Sequence, residues 1–147
     1  MAGLSNVVEQ YVLKWMFKRT AFPAAPTTLW FSLHSADPAD TGGSELTGNN
    51  YGRGQLDPDP DASTNAAYTA ITTSGTNSRI QNVGVINFPQ AQTGNWNGGS
   101  AILYWGLWDA SSNGTFLIGG SISPSGVVVL QGNTLSIAAN QLTIDID

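Results

Sequence analysis

The chain has no cysteine, which excludes disulfides, cysteine-ligated zinc, iron–sulfur clusters and a thiol nucleophile. Its one histidine, His34, leaves no multi-histidine metal site and a single imidazole for general-base chemistry. Charged residues make up 10% of the sequence, against about 25% in an ordinary globular protein. No run reaches the ~18 apolar residues of a membrane span. Residues 1–5 show neither the basic start nor the apolar run of a secretory signal, so synthesis in a cytoplasm is expected. The net charge of −5 disfavours nucleic acid as a partner. A chain so short of proton-handling groups is expected to bind or brace rather than catalyse, with no cofactor, no metal and no membrane contact.

Glycine, serine, threonine and asparagine together exceed a third of the 147 residues, and 10% are aromatic. Turns and β-surfaces use the first group, and a packed core needs the second. Both point to a folded all-β domain.

Residues 1–20 are the exception. Leu4, Val7, Val8, Tyr11, Val12, Trp15 and Met16 recur with a 3.6-residue period. Ser5 or Asn6 can cap the start, and Glu9 stands three after Asn6 as in a capping box. The helix should stop near Thr20, ahead of Pro23 and Pro26. Because Trp15, Met16 and Phe17 are consecutive, this end is apolar on more than one side. The segment is therefore expected either to cover the core or to meet another chain. Tyr11, Trp15, Met16 and Phe17 are the candidate anchors. Lys14, Lys18 and Arg19 either complement the helix C-terminus or dock on an acidic surface.

From residue 27 the period becomes 2. Strands are expected at 29–34, 80–88, 100–108, 115–122, 127–130, 134–137 and 142–146, with short ones near 51–56 and 67–72. Explicit turns such as Asn97-Gly98-Gly99 and Ser112-Asn113-Gly114 separate them. Short strands at this spacing predict an antiparallel β-sandwich or jelly roll over 27–147, with a long polar loop at about 41–78. The last strand could pair in its own sheet or in a neighbour's. Leu103, Trp105 and Leu107 share one face of their strand and Ile102, Tyr104 and Trp108 the other, so that strand should be covered on both sides.

The candidates for chemistry are thin. His34 lies near Ser32 and Asp37, but no G-x-S-x-G elbow is present, so a structural histidine is the expectation. Asp57, Asp59 and Asp61 alternate like the first calcium-loop ligands, yet Ala62 and Tyr68 stand where glycine and glutamate are required. Arg53, beside Tyr51, is expected to pair with an acidic loop residue such as Asp37 or Asp40 and to anchor the base of the long loop.

The chain also carries Leu33-His34-Ser35-Ala36-Asp37-Pro38-Ala39-Asp40-Thr41-Gly42-Gly43, then Glu45-Leu46-Thr47-Gly48 and Tyr51-Gly52-Arg53. Further on come Phe88-Pro89, Trp105-Gly106-Leu107-Trp108-Asp109 and Gly132-Asn133-Thr134-Leu135-Ser136-Ile137. This pattern resembles a family of small tailed-phage virion proteins, often labelled tail fibre proteins and in some phages acting as capsid decoration (cement) proteins. The resemblance implies a β-sandwich with an amino-terminal helix, assembled as a homotrimer on a virion. Its partners would be its own copies and the phage major capsid protein, whose joints it would brace. The alternative it implies is a tail fibre or baseplate-tip protein that binds a host-surface glycan or receptor.

Overall fold

Alternating apolar side chains can bury one face of a strand only against a second layer, and this chain supplies both layers itself. The computed structural model describes residues 2–56, 68–69, 71–75, 77–122 and 125–146. The strands are β1 (Ala2–Leu4), β2 (Leu29–His34), β3 (Gly54–Leu56), β4 (Thr72–Ser74), β5 (Asn77–Gln81), β6 (Ile86–Gln90), β7 (Tyr104–Trp108), β8 (Phe116–Ser121), β9 (Thr134–Ile137) and β10 (Thr143–Ile146). One helix, α1 (Asn6–Lys18), follows β1.

One layer is a five-stranded antiparallel sheet in the order β1-β8-β7-β2-β3. The other comprises β10-β5-β4 and the pair β6-β9. Between them Phe31 stacks on Trp105 at 5.4 Å and meets Phe88 edge-on at 6.2 Å, with Leu33, Leu107, Ile86, Leu142 and Ile144 closing the core. The fold is an all-β sandwich with an amino-terminal helix.

Several elements differ from the sequence expectation. Residues 80–88 are two strands, because the chain turns at Asn82. Its backbone N–H donates to the Leu142 carbonyl, and its carbonyl accepts from Asn140 N–H. Its side-chain amide donates to the Gly84 and Ala138 carbonyls and accepts from Leu142 N–H at 2.9 Å. One asparagine thus fills the corner where β5 and β10 give way to β6 and β9. Of residues 127–130, only Val127 bridges, to Ile102. The stretch 41–78 contains β3, β4 and the start of β5. Asp57, Asp59 and Asp61 lie outside the described residues. The terminal strand β10 pairs with β5 of its own chain.

The outer face of β2, which carries Ser32 and His34, is not solvated. Ser32 and His34 are each 0% exposed. An excursion from Ser35 to Ser44 folds over them: Ser35 N–H donates to the Ser44 carbonyl, and Leu46 N–H to that of Leu33. Gly106 permits this close approach, since a Cβ there would stand 2.6 Å from the Phe116 ring and 2.9 Å from both His34 Nε2 and Ser32 Oγ.

Asn82→Ala should destabilise the fold by about 2 kcal/mol, because the buried Leu142 N–H and two part-buried carbonyls lose their partners. Urea unfolding checks this; a loss below about 0.5 kcal/mol, the range of an ordinary surface change, would show that the corner holds without its side chain.

Candidate functional site

Two constellations stand out, one buried under the excursion and one exposed on α1. The buried one centres on Arg53, whose side chain is 5% exposed. Its Nε donates to Glu45 Oε1 at 2.8 Å and its Nη2 to Oε2 at 2.7 Å, a two-pronged ion pair. Its Nη1 donates to the carbonyls of Ala110 at 2.6 Å and Asn113 at 2.9 Å. The guanidinium lies 3.9 Å from the centre of the Trp108 ring. The carboxylate expected from the sequence, Asp37 or Asp40, is instead Glu45. The His34–Glu45 bridge sets Glu45 in register beside the edge of β2, while Asp37 and Asp40 lie in the excursion. Tyr51 adds a second tie: its hydroxyl accepts from Leu33 N–H at 2.8 Å and donates to Glu45 Oε1 at 3.3 Å. Its ring meets Trp96 edge-on at 5.2 Å. Burial pushes the Tyr51 phenol well above its ordinary value, so it remains a neutral donor.

Beneath the excursion, Ser32 Oγ lies 2.7 Å from His34 Nε2, accepts from Trp108 Nε1 at 2.9 Å, and lies 3.2 Å from the Gly106 carbonyl. His34 Nδ1 lies 2.7 Å from the Gly43 carbonyl, which can only accept, so the ring proton belongs on Nδ1. Nε2 then accepts the Ser32 proton. The pair resembles a nucleophile and its base, but neither residue is exposed, and Trp108 and Phe116 wall it in. Desolvation holds the His34 imidazole below its ordinary 6.5, opposed by the Gly43 carbonyl and Glu45, with Arg53 acting alongside burial.

The exposed constellation is α1. Ser5 caps it, accepting from Val8 N–H at 3.3 Å. The capping box read from Asn6 and Glu9 is absent because the cap lies one residue earlier. Arg19 ends the helix in the left-handed conformation (φ 54°), and Thr20 N–H returns to the Lys14 carbonyl. No residue of α1 is fully buried. Its inner side rests lightly on the body: Val8 and Tyr11 face Leu117 and Thr115 across a hollow of about 600 Å3. Trp15 is 6.0 Å from Phe22 in the returning segment.

Of the four expected anchors, Tyr11 therefore turns inward and Trp15 is shared with Phe22. Met16 and Phe17 face outward at 57% and 72% exposure, joined by Leu13 at 55%. The i, i+3, i+4 spacing of Leu13, Met16 and Phe17 makes them one stripe, a signal the run of aromatics masked. Lys14, Lys18 and Arg19 are exposed beside it and form no ion pair among the described residues. Among those residues no cluster of acidic or histidine side chains could hold a metal, and no helix is long and apolar enough to cross a membrane.

Arg53→Ala should destabilise by about 3 kcal/mol, since it strands a half-buried carboxylate and two carbonyls; thermal melting checks this, and an unchanged midpoint would remove the anchoring role. His34, as the only histidine, gives an imidazole resonance that titrates alone by NMR. Its midpoint should fall below 6.5. Stability should therefore be constant in this group above about pH 7 and decline from there down to the lowered midpoint, because the unfolded chain takes up the proton first. A midpoint at or above 6.5 would contradict the burial argument.

A family model described as "Podophage GP4 fiber I protein gp80" matches residues 3–145. No curated protein matches the chain.

Proposed function

Because the chain belongs to the Podophage GP4 fiber I protein gp80 family, and is thereby a tailed-phage structural component of the virion, we propose that it works as a fibre module that docks through the outward stripe of α1. The observation that carries this reading is the exposure of Leu13, Met16 and Phe17 on a helix none of whose residues is fully buried in its own chain. Contiguous apolar surface of this kind marks a contact with another macromolecule, whereas scattered single residues do not.

The work assigned to the protein is adhesion and load bearing. The sandwich supplies a rigid body, and repeated copies make a modest interface decisive through multivalency. Ser32 and His34, the one pair with catalytic geometry among the described residues, lie without access to solvent. That supports a role without chemistry.

The same stripe would suit capsid decoration, in which a homotrimer bridges copies of a major capsid protein. The family's fibre description favours the fibre. Binding of a host-surface glycan or receptor belongs to this fibre reading.

The triple variant Leu13→Ser, Met16→Ser, Phe17→Ser should melt within about 0.5 kcal/mol of the wild type yet fail to enter virions. Normal incorporation would overturn the assignment of α1. Copies counted per particle separate the placements: a few to a few dozen for a fibre, hundreds for decoration, as rough orders set by the number of attachment points.

A further inference from the structure

We propose that the partner of α1 is the acidic body of a second copy of this chain, engaged head to tail, and not a second α1. The inference rests on the reading of α1 as the docking face and names what that face meets.

Charge is strongly segregated along the sequence. Lys14, Lys18 and Arg19 against Glu9 leave residues 1–20 at +2, while two arginines against nine carboxylates leave residues 21–147 at −7. Both of those arginines are spent internally, Arg53 on Glu45 and Arg79 on Asp145 at 2.7 Å. Among the described residues, the side-chain cations without an acidic partner are the three on or capping α1. Lys14 and Lys18, at i and i+4, form a ridge along one side of the apolar stripe. Two such helices packed stripe to stripe would bring six cations together with only two Glu9 carboxylates to offset them. Packing the stripe and its ridge against the body satisfies both its apolar and its charged parts.

The body offers a matching place. A hollow of about 430 Å3 is floored by Gly3, Gly119 and Gly120 and walled by Asp37, Asp40 and Tyr104. No residue of α1 lines it. Asp37 Oδ1 accepts from Ala39 N–H at 2.9 Å, which shapes the loop. Asp40 is exposed and makes no hydrogen bond or ion pair among the described residues. The buried Pro38, whose carbonyl accepts from both Gly42 and Gly43 N–H, fixes the loop that presents the two carboxylates. At the same end of the sheet Leu103, on the face opposite Tyr104, and Val128, one residue beyond the Ile102–Val127 bridge, are exposed apolar residues.

The hollow lies at the Tyr104–Ser121 end of the large sheet, whereas α1 leaves β1 toward the Asp109–Thr115 end. The two complementary surfaces of one molecule therefore face different ways. Such a heterologous contact closes into a ring if the rotation allows and otherwise stacks copies along an axis. Either outcome serves a fibre.

Sedimentation of the full chain tests this. The wild type should self-associate, and more weakly in about 1 M salt than in about 0.05 M. Lys14→Glu with Lys18→Glu and Arg19→Glu should raise Kd at least about tenfold, as should Asp37→Lys with Asp40→Lys. Mixing the two variants, or combining all five changes in one chain, should restore association. Reversals that leave association unchanged or tighten it, or association strengthened by salt, would overturn the proposal. A wild-type chain that stays monomeric would overturn it too. If the serine variant of the stripe associates like the wild type, the docking role of α1 itself fails. If that variant dissociates while the charge reversals do not, only the acidic partner is refuted.

Discussion

Arg53 carries a full charge into a place where its side chain is almost closed to water, and a buried guanidinium is tolerable only when its donors are matched. The matching comes from three parts of the chain: Glu45 at the base of the excursion, the Ala110 and Asn113 carbonyls of the β7–β8 hairpin, and the face of Trp108. Each group alone would be left unsatisfied, so the contact works as a lock between segments more than 50 residues apart in sequence. With the lock in place, the excursion lies flat on β2 and β7. Ser32, His34 and Trp108 can then form a closed polar network under it. The central strands β2 and β7 are consequently covered on both faces by their own chain.

That coverage bears on α1. In many small β-domains an amino-terminal helix closes an open sheet face, but here that face is already occupied. The helix is tied to the body through the β1–β8 pairing, the Ser5 N–H to Leu117 carbonyl bond and a shallow contact along its inner side. Its outward side chains have no task within the monomer. A family identity as a phage fibre protein and an unoccupied apolar-basic helix describe the same design from two directions. In the proposed reading the body supplies stiffness and the arm attachment.

Charge follows the same division. Among the described residues, the acidic side chains of the body outside ion pairs are Asp37, Asp40 and Asp109, and the cations outside ion pairs lie on α1 or at its end. Uniform negative charge would keep copies apart at working concentrations, whereas a segregated arrangement favours one relative orientation over others. Orientation is what a linear or ring assembly must specify.

Local pattern was enough to give the helix, the sandwich class, the 134–137 strand and the two-sided burial of β7, since each depends on periodicity within about ten residues. It also singled out Arg53 and Tyr51, whose side chains both bond Glu45. Tertiary structure decided what these residues touch. Glu45 became the partner of Arg53 because the His34–Glu45 bridge sets the register, a pairing that spacing along the chain does not encode. Asn82 divided one apparent strand because its amide meets Leu142 and Ala138, more than 50 residues away. The outward stripe of α1 became visible only once the excursion was seen to occupy the face that the helix could have covered. Periodicity reports which side of an element is apolar, while the packing of distant segments determines which apolar sides remain unclaimed.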